Sequence, residues 1–275
     1  MQLIDVALVW VLAALFGCSQ PPGSPPAPIL LRLSGSTSMQ PLMRELTEAY
    51  SQRRPHVSFD LSAVGSGAGL QELRRGSADV ALVSRKLQPE EEFDTQSGQR
   101  LLVSSEIAQD AVAVAVHASN PLRSLTLYQL RDVFEGRITN WQQLGGPDQG
   151  IQVISREDGS GTRAVFEELV MRDRRVTPTA VIMPSSEAVH RRIAQQDGAI
   201  AYLSLGYLGG DVRALAIEGI TPTRESIADG TYPIVRPFVL VHQPDAVTEV
   251  AAFTQFVRSP AGQAIVTRTF AGPGS

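Results

Sequence analysis

Residues 151–166 read Ile151-Gln-Val-Ile-Ser-Arg156-Glu-Asp-Gly-Ser-Gly161-Thr-Arg-Ala-Val-Phe166. An apolar run, Ile151 to Ile154, predicts a strand, and Thr162 to Arg172 predicts a helix with Val165, Phe166, Leu169 and Val170 on one face. Between them lies a loop, Arg156 to Thr162, of two acids, two glycines, two hydroxyl residues and one arginine. A helix N-terminus leaves unpaired N–H groups and carries partial positive charge. Glycine lets such a loop approach a ligand closely, hydroxyls add neutral donors, and an arginine adds one planar fork. The combination suits a tetrahedral oxyanion.

The same strand–loop–helix unit occurs twice upstream. Ile29 to Leu33 reads as a strand and Pro41 to Arg53 as a helix, joined through Ser34-Gly-Ser-Thr-Ser38. Val57 to Val64 alternates as a strand and Gly69 to Arg75 reads as a short helix, with Gly65-Ser-Gly-Ala-Gly69 between. Asp79 to Val83 adds a third apolar strand, so the order βαβαβ implies a parallel sheet with helices on its faces. Asp110 to Val116 is apolar after its first residue, as a strand buried on both faces would be. Further on come helices at 127–134 and 186–196, strands at 200–203 and 234–242, and a closing helix at 247–258. Any one of the three loops taken alone reads as an ordinary helix cap. None is a G-x-G-x-x-G fingerprint or carries Gly-Lys-Ser/Thr.

The whole chain bounds the rest. It has 275 residues, a formal net charge of -4, 4 His and 1 Cys. There is no basic surplus for nucleic acid, no material for a His/Cys metal cage, and no intrachain disulfide. No metal and no cofactor are expected. Val6 to Gly17 is almost wholly apolar and ends at Leu15-Phe-Gly-Cys18. It is too short for a membrane span, which needs about 20 residues. It resembles a bacterial lipobox, in which the cysteine is acylated, although no Lys or Arg precedes the run and Asp5 stands where positive charge is usual. Residues 1–18 are therefore expected to be a lipoprotein-type signal peptide, and 19–28, rich in Pro, Ser and Gly, a flexible tether.

Arg156-Glu-Asp-Gly-Ser-Gly-Thr162 resembles the R-x-D-G-S-G-T hallmark of the phosphate-binding proteins of bacterial phosphate ABC transporters. Gly35-Ser-Thr-Ser-Met-Gln-Pro41, Val64 to Leu70, Ala78 to Arg85, Asn140-Trp141, Gly198 to Tyr202 and Tyr232 to Pro237 resemble further stretches of that family, in the same order. The resemblance implies an α/β, two-lobed periplasmic-binding-protein fold (type II), with mixed sheets flanked by helices and the ligand in a cleft between lobes. Lobe 1 is expected to comprise 29–112 plus 205–275, and lobe 2 113–204. It further implies a non-enzymatic, monomeric receptor in the cell envelope or periplasm. Such a receptor would be held to the membrane by a lipid on Cys18 and would pass inorganic phosphate to ABC permease subunits.

By position, the resemblance assigns Thr37, Ser38, Ser66, Ser84, Arg156, Ser160, Gly161 and Thr162 to the ligand, with Ser36, Asp158 and Arg85 in support. Asp158 is expected to pair with Arg156, and Arg85 to fix its own loop. At the position of Ser84 some relatives carry an Asp that accepts a hydrogen bond from a protonated phosphate and so rejects sulfate, which has no proton to give. A serine oxygen can still accept, but repels a fully ionised anion less. Two other readings compete: a receptor for another tetrahedral oxyanion such as sulfate or molybdate, and a phosphoesterase-like enzyme using Ser160. A sensing role would use the same closure on a ligand.

Overall fold

The computed structural model describes residues 26–274. In chain order its strands are β1 Ile29–Gly35, β2 Val57–Ala63, β3 Val80–Val83, β4 Val103–His117, β5 Ser124–Leu125, β6 Gln152–Arg156, β7 Val181–Met183, β8 Ala199–Ser204, β9 Val212–Ala214, β10 Ala216–Ile217 and β11 Val235–His242. The helices are α1 Gln40–Arg53, α2 Ser66–Arg74, α3 Pro89–Glu92, α4 Leu127–Glu135, α5 Gly161–Phe166, α6 Ser186–Ala194, α7 Arg224–Ala228, α8 Thr248–Arg258 and α9 Pro260–Val266. The signal-peptide and lipidation expectations, Cys18 included, fall outside the described residues.

The main sheet runs β2-β1-β3-β11-β4-β8-β6-β7. β1 pairs parallel with β2 and β3, as the βαβαβ order requires, and β6 pairs parallel with β7 and β8. β11 is antiparallel to both β3 and β4, so the sheet is mixed. β4 is the long member, and it changes neighbours along its length. Val103–Ala111 lies along β11, while Val112–Val116 lies along β8 and Ala115–His117 along β9. One strand thus belongs to both lobes.

The strands show why the apolar runs are continuous. On β3, Val80 and Leu82 face one core, with Leu42, Leu46 and Phe253, while Ala81 and Val83 face another, with Leu70 and Leu73. The period of two sends successive side chains to opposite faces, and helices cover both. In the second lobe Val112, Val114 and Val116 pack with Phe134, Trp141, Phe166 and Tyr202. Val189 and Ile193 of α6 cover the other face at Ala115, Ile154 and Ala201.

Most of residues 205–234, expected in lobe 1, pack in lobe 2, although Leu205 also packs against the lobe 1 core and Gly206 lies against Phe270. β9 pairs with β4 beyond the crossing, β10 pairs with β5, and Ile227, Tyr232 and Ile234 join the Phe134–Trp141 core. The return to lobe 1 comes with β11, whose Val235 lies opposite Ala111. Strands of two or three residues between turns carry no periodicity that would show which lobe they serve.

Two further departures matter for the site. α2 begins at Ser66, so its glycines lie within the first turns of the helix. α5 ends at Phe166 and continues as a π-turn over Glu167–Met171.

Phe253 is fully buried and lies 5.2 Å from the Tyr50 ring and 4.9 Å from Phe59. Phe253→Ala is expected to lower unfolding free energy by about 3–5 kcal/mol in a urea titration, the usual cost of an aromatic cavity.

Candidate functional site

Four segments end at the same place. β1, β2 and β3 deliver Gly35–Ser38, Gly65–Ser66 and Ser84 from their carboxyl ends, and β6 delivers Arg156 and the N-terminus of α5. Loops beyond the carboxyl ends of parallel strands are where open α/β sheets hold ligands. Gly35 makes the first approach possible. Its φ is +144°, and a Cβ there would lie 2.2 Å from the Leu82 carbonyl oxygen. Gly69 likewise lets α2 pack against the Gly35 Cα, where an added Cβ would fall at 2.5 Å.

The hydroxyls form one cluster. Ser36 Oγ donates to Ser84 Oγ at 2.8 Å and lies 2.8 Å from Ser38 Oγ. Ser38 Oγ meets Thr162 Oγ1 across the lobes at 3.4 Å, and Ser66 Oγ lies 3.3 Å from Ser84 Oγ. Gly161 sits against this group, since a Cβ on it would be 2.6 Å from both Ser66 Oγ and Ser84 Oγ. Thr37 turns to the other side, 3.2 Å from Ser186 Oγ, and accepts from the Ser186 N–H at 3.2 Å. The lobes also touch through Gly67 N–H to the Gly159 carbonyl, 3.0 Å, and Tyr207 O–H to the Thr37 carbonyl, 2.9 Å.

Two guanidiniums enter the cluster, each with a carboxylate on its outer edge. Arg156 donates through Nε and Nη2 to Glu157 at 2.8 and 2.7 Å. It also reaches Ser186 Oγ through Nη1 and Thr37 Oγ1 through Nη2, both at 3.2 Å. Arg236, at the start of β11, donates through Nε and Nη2 to Asp110 of β4 at 3.0 and 2.8 Å. Its Nη1 points inward, to Thr162 Oγ1 at 2.6 Å and Ser84 Oγ at 3.3 Å. Both side chains of this second pair are wholly buried. Burial pushes the Asp110 carboxyl up and the Arg236 guanidinium down, while their mutual attraction opposes both shifts. Asp110 also accepts from the Leu205 N–H. A guanidinium so paired keeps its proton, because its ordinary pKa lies far above neutrality.

The expected residues thus divide. Ser36, Thr37, Ser38, Ser66, Ser84, Arg156, Gly161 and Thr162 come together. Ser160 is buried beside them, its hydroxyl accepting from the Arg163 N–H as the cap of α5 and keeping its own proton. Asp158 does not pair with Arg156. The turn at Gly159, φ +83°, leaves Asp158 95% exposed, with its carboxylate 2.8 Å from Arg163. The longer Glu157 reaches back to Arg156 instead. Arg85 binds Glu91 with both terminal nitrogens, at 2.7 and 2.9 Å, and that hydrogen-bonded partner raises its pKa.

Besides Glu157, sequence reasoning missed three residues that enter the cluster. Ser186 opens α6 after an undistinguished Pro-Ser-Ser, which carries no signal. Asp110 and Arg236 did carry one, since each is the lone charge of the apolar runs at 110–116 and 234–242, and a buried charge needs a partner.

A family model described as a PBP superfamily domain matches residues 22–261. The phosphate-binding protein PstS of Bacillus subtilis is 34% identical over 205 residues, 74% of this chain and 67% of that protein. A Clostridium perfringens protein assigned as a phosphate ABC transporter substrate-binding protein, solved with bound phosphate, superposes with a TM-score of 0.83 at 35% identity. That superposition covers 89% of this chain and 100% of the other. An ABC-type phosphate transport receptor from Vibrio cholerae gives a TM-score of 0.71 at 34% identity, over 88% and 100% of the two chains.

Tyr202 anchors the site from beneath. Its hydroxyl lies 2.7 Å from Ser155 Oγ and accepts from the Arg156 N–H at 3.3 Å, and burial pushes its pKa up to about 12. Tyr202→Phe leaves these buried groups short of a partner. It is expected to cost about 1–3 kcal/mol in chemical denaturation.

Proposed function

Because the chain belongs to the PBP superfamily, and within it to the phosphate-binding proteins, we propose that it is an extracytoplasmic receptor for inorganic phosphate. It captures the anion in the cleft and delivers it to the permease subunits of an ABC importer. The observation that carries this reading is the single cluster of hydroxyls, built from both lobes, between Arg156 and Arg236. The B. subtilis and V. cholerae relatives, named as a phosphate-binding protein and a phosphate transport receptor, support the choice of ligand.

In this reading Thr37, Ser38, Ser66, Ser84, Ser160 and Thr162 donate hydroxyl protons to the anion. Gly161 and the first turn of α5 add backbone N–H groups where the helix end favours negative charge. Arg156 supplies a charged fork whose outer edge is fixed by Glu157. Phosphate bridges the lobes and favours the closed arrangement, with β4 and β11 as connections that flex. Closure excludes water and strengthens each of these contacts. The protein works as a monomer, exported and held at the membrane by a lipid on Cys18, which lies outside the described residues. Among the described residues no helix is long and apolar enough to cross a membrane.

A receptor accounts for the site better than a hydrolase. The Ser160 oxygen caps a helix, and His117, His190 and His242 hydrogen-bond instead to Ser119, the Tyr207 carbonyl and the Gln243 carbonyl.

Titration calorimetry on protein freed of carried-over phosphate tests the reading. Wild type is expected to bind phosphate with one site per chain, and Arg156→Ala to bind more weakly by about 1.5–3 kcal/mol or more. Unchanged affinity in the variant would remove Arg156 from the site.

A further inference from the structure

Thr37 of lobe 1 is held by lobe 2 through both its side chain and its backbone. Its Oγ1 accepts from the Ser186 N–H and from Arg156 Nη2, each at 3.2 Å. Its carbonyl accepts from the Tyr207 hydroxyl at 2.9 Å. A hydroxyl oxygen has two lone pairs, so the two N–H groups fill Thr37 Oγ1 and leave its own proton to give. Ser186 serves two partners at once. Its amide holds Thr37, and its Oγ accepts from Arg156 Nη1 at 3.2 Å.

The start of α6 explains why this amide is available. Ser185 caps the helix, its hydroxyl accepting from the Ala188 N–H at 3.1 Å, and Ser186 is the first helical residue. The cap satisfies the third amide of the helix, while the first has no partner within the helix and turns to Thr37. Ser186 is wholly buried. α6 is fastened to lobe 2 by Val189 and Ile193, and Tyr207 packs on the same core. His190 of α6 bonds through Nδ1 to the Tyr207 carbonyl at 2.7 Å, so the amide and the hydroxyl that reach Thr37 belong to one packed unit. Burial pushes the Tyr207 pKa up to about 12, which keeps its hydroxyl a donor at neutral pH. We propose that Ser186 and Tyr207 form a latch on Thr37 that holds the cleft closed, with Ser186 also setting the inner edge of Arg156. Both are positioning residues, acting on phosphate through Thr37 and Arg156. Every bond of the latch crosses between lobes and is lost when they part. It therefore stabilises only the closed form, and it sets how long the anion stays without changing how fast it is captured.

The proposal rests on the phosphate-receptor reading, and rate measurements with inorganic phosphate separate the two. Loss of radiolabelled phosphate, followed by rapid filtration, gives the release rate. Calorimetry gives the affinity, and the two together give the rate of capture. Tyr207→Phe and Ser186→Ala each delete one hydroxyl and leave the backbone intact. Each is expected to speed release about three- to tenfold, the effect of one lost hydrogen bond, with capture unchanged within about twofold. Ser186→Pro replaces the amide proton with a ring at the first helical position, where proline is tolerated, and Ser185 before it is already extended. Thr37 can then no longer approach, and release is expected to quicken by more than in either hydroxyl variant. A purely structural loss would lower the thermal transition of the phosphate-free protein without separating the two rates. Release at the wild-type rate from folded Tyr207→Phe and Ser186→Pro, or slower capture with unchanged release, would overturn the latch. If Ser186→Pro does not fold, Tyr207→Phe decides by the same criterion. Wild type that binds no phosphate would overturn the receptor reading, and the latch with it.

Discussion

Two arginines buried at one junction, each restrained by a carboxylate on the side away from the cleft, are the constraint around which this structure is arranged. A guanidinium left alone in such a place would be very costly to desolvate, and a carboxylate beside it offsets that cost only if the geometry is good. Glu157 and Asp110 both meet the Nε/Nη2 edge of their arginine, so the opposite edge stays turned inward. Charge is neutralised pair by pair, while donors remain available. A chain with formal net charge -4 can therefore present an anion site without a basic surface.

The fold supplies what the pairs need. Asp110 and Arg236 lie opposite each other on β4 and β11, where β4 leaves one set of neighbours for the other. The second pair thus sits at the connection between lobes, and Arg236 touches Ser84 of one lobe and Thr162 of the other. Arg156 is placed from the opposite side by β6, with Tyr202 beneath it and Thr37 across the cleft. Movement of one lobe against the other would alter the surroundings of both arginines, since each touches groups of both lobes.

Much of this was legible in the sequence because local chemistry declares itself. The loop at 156–162 announced a helix start, and the parallel order of β1 to β3 followed from strand–helix alternation. What stayed hidden depends on pairing at a distance. Asp110 and Arg236 are separated by 126 residues, and nothing in either strand names the other. The exchange of Asp158 for Glu157 occurs beside one glycine with positive φ, Gly159, where Asp158 lies in solvent against Arg163. The first half of β4 was unread because there it is the edge strand of its lobe, with Ser104, Ser105 and Glu106 in place of an apolar run. Most of residues 205–234 were read into the other lobe because short strands between turns carry no period.

The most direct test of the account is to locate the guest. Crystals grown with arsenate, a tetrahedral stand-in for phosphate, would give an anomalous signal from arsenic alone. The account predicts one strong peak between the inner edges of Arg156 and Arg236, within hydrogen-bonding distance of Ser38 and Thr162. A peak confined to the exposed face near Asp158 and Arg163, or none in the cleft at saturating arsenate, would contradict it.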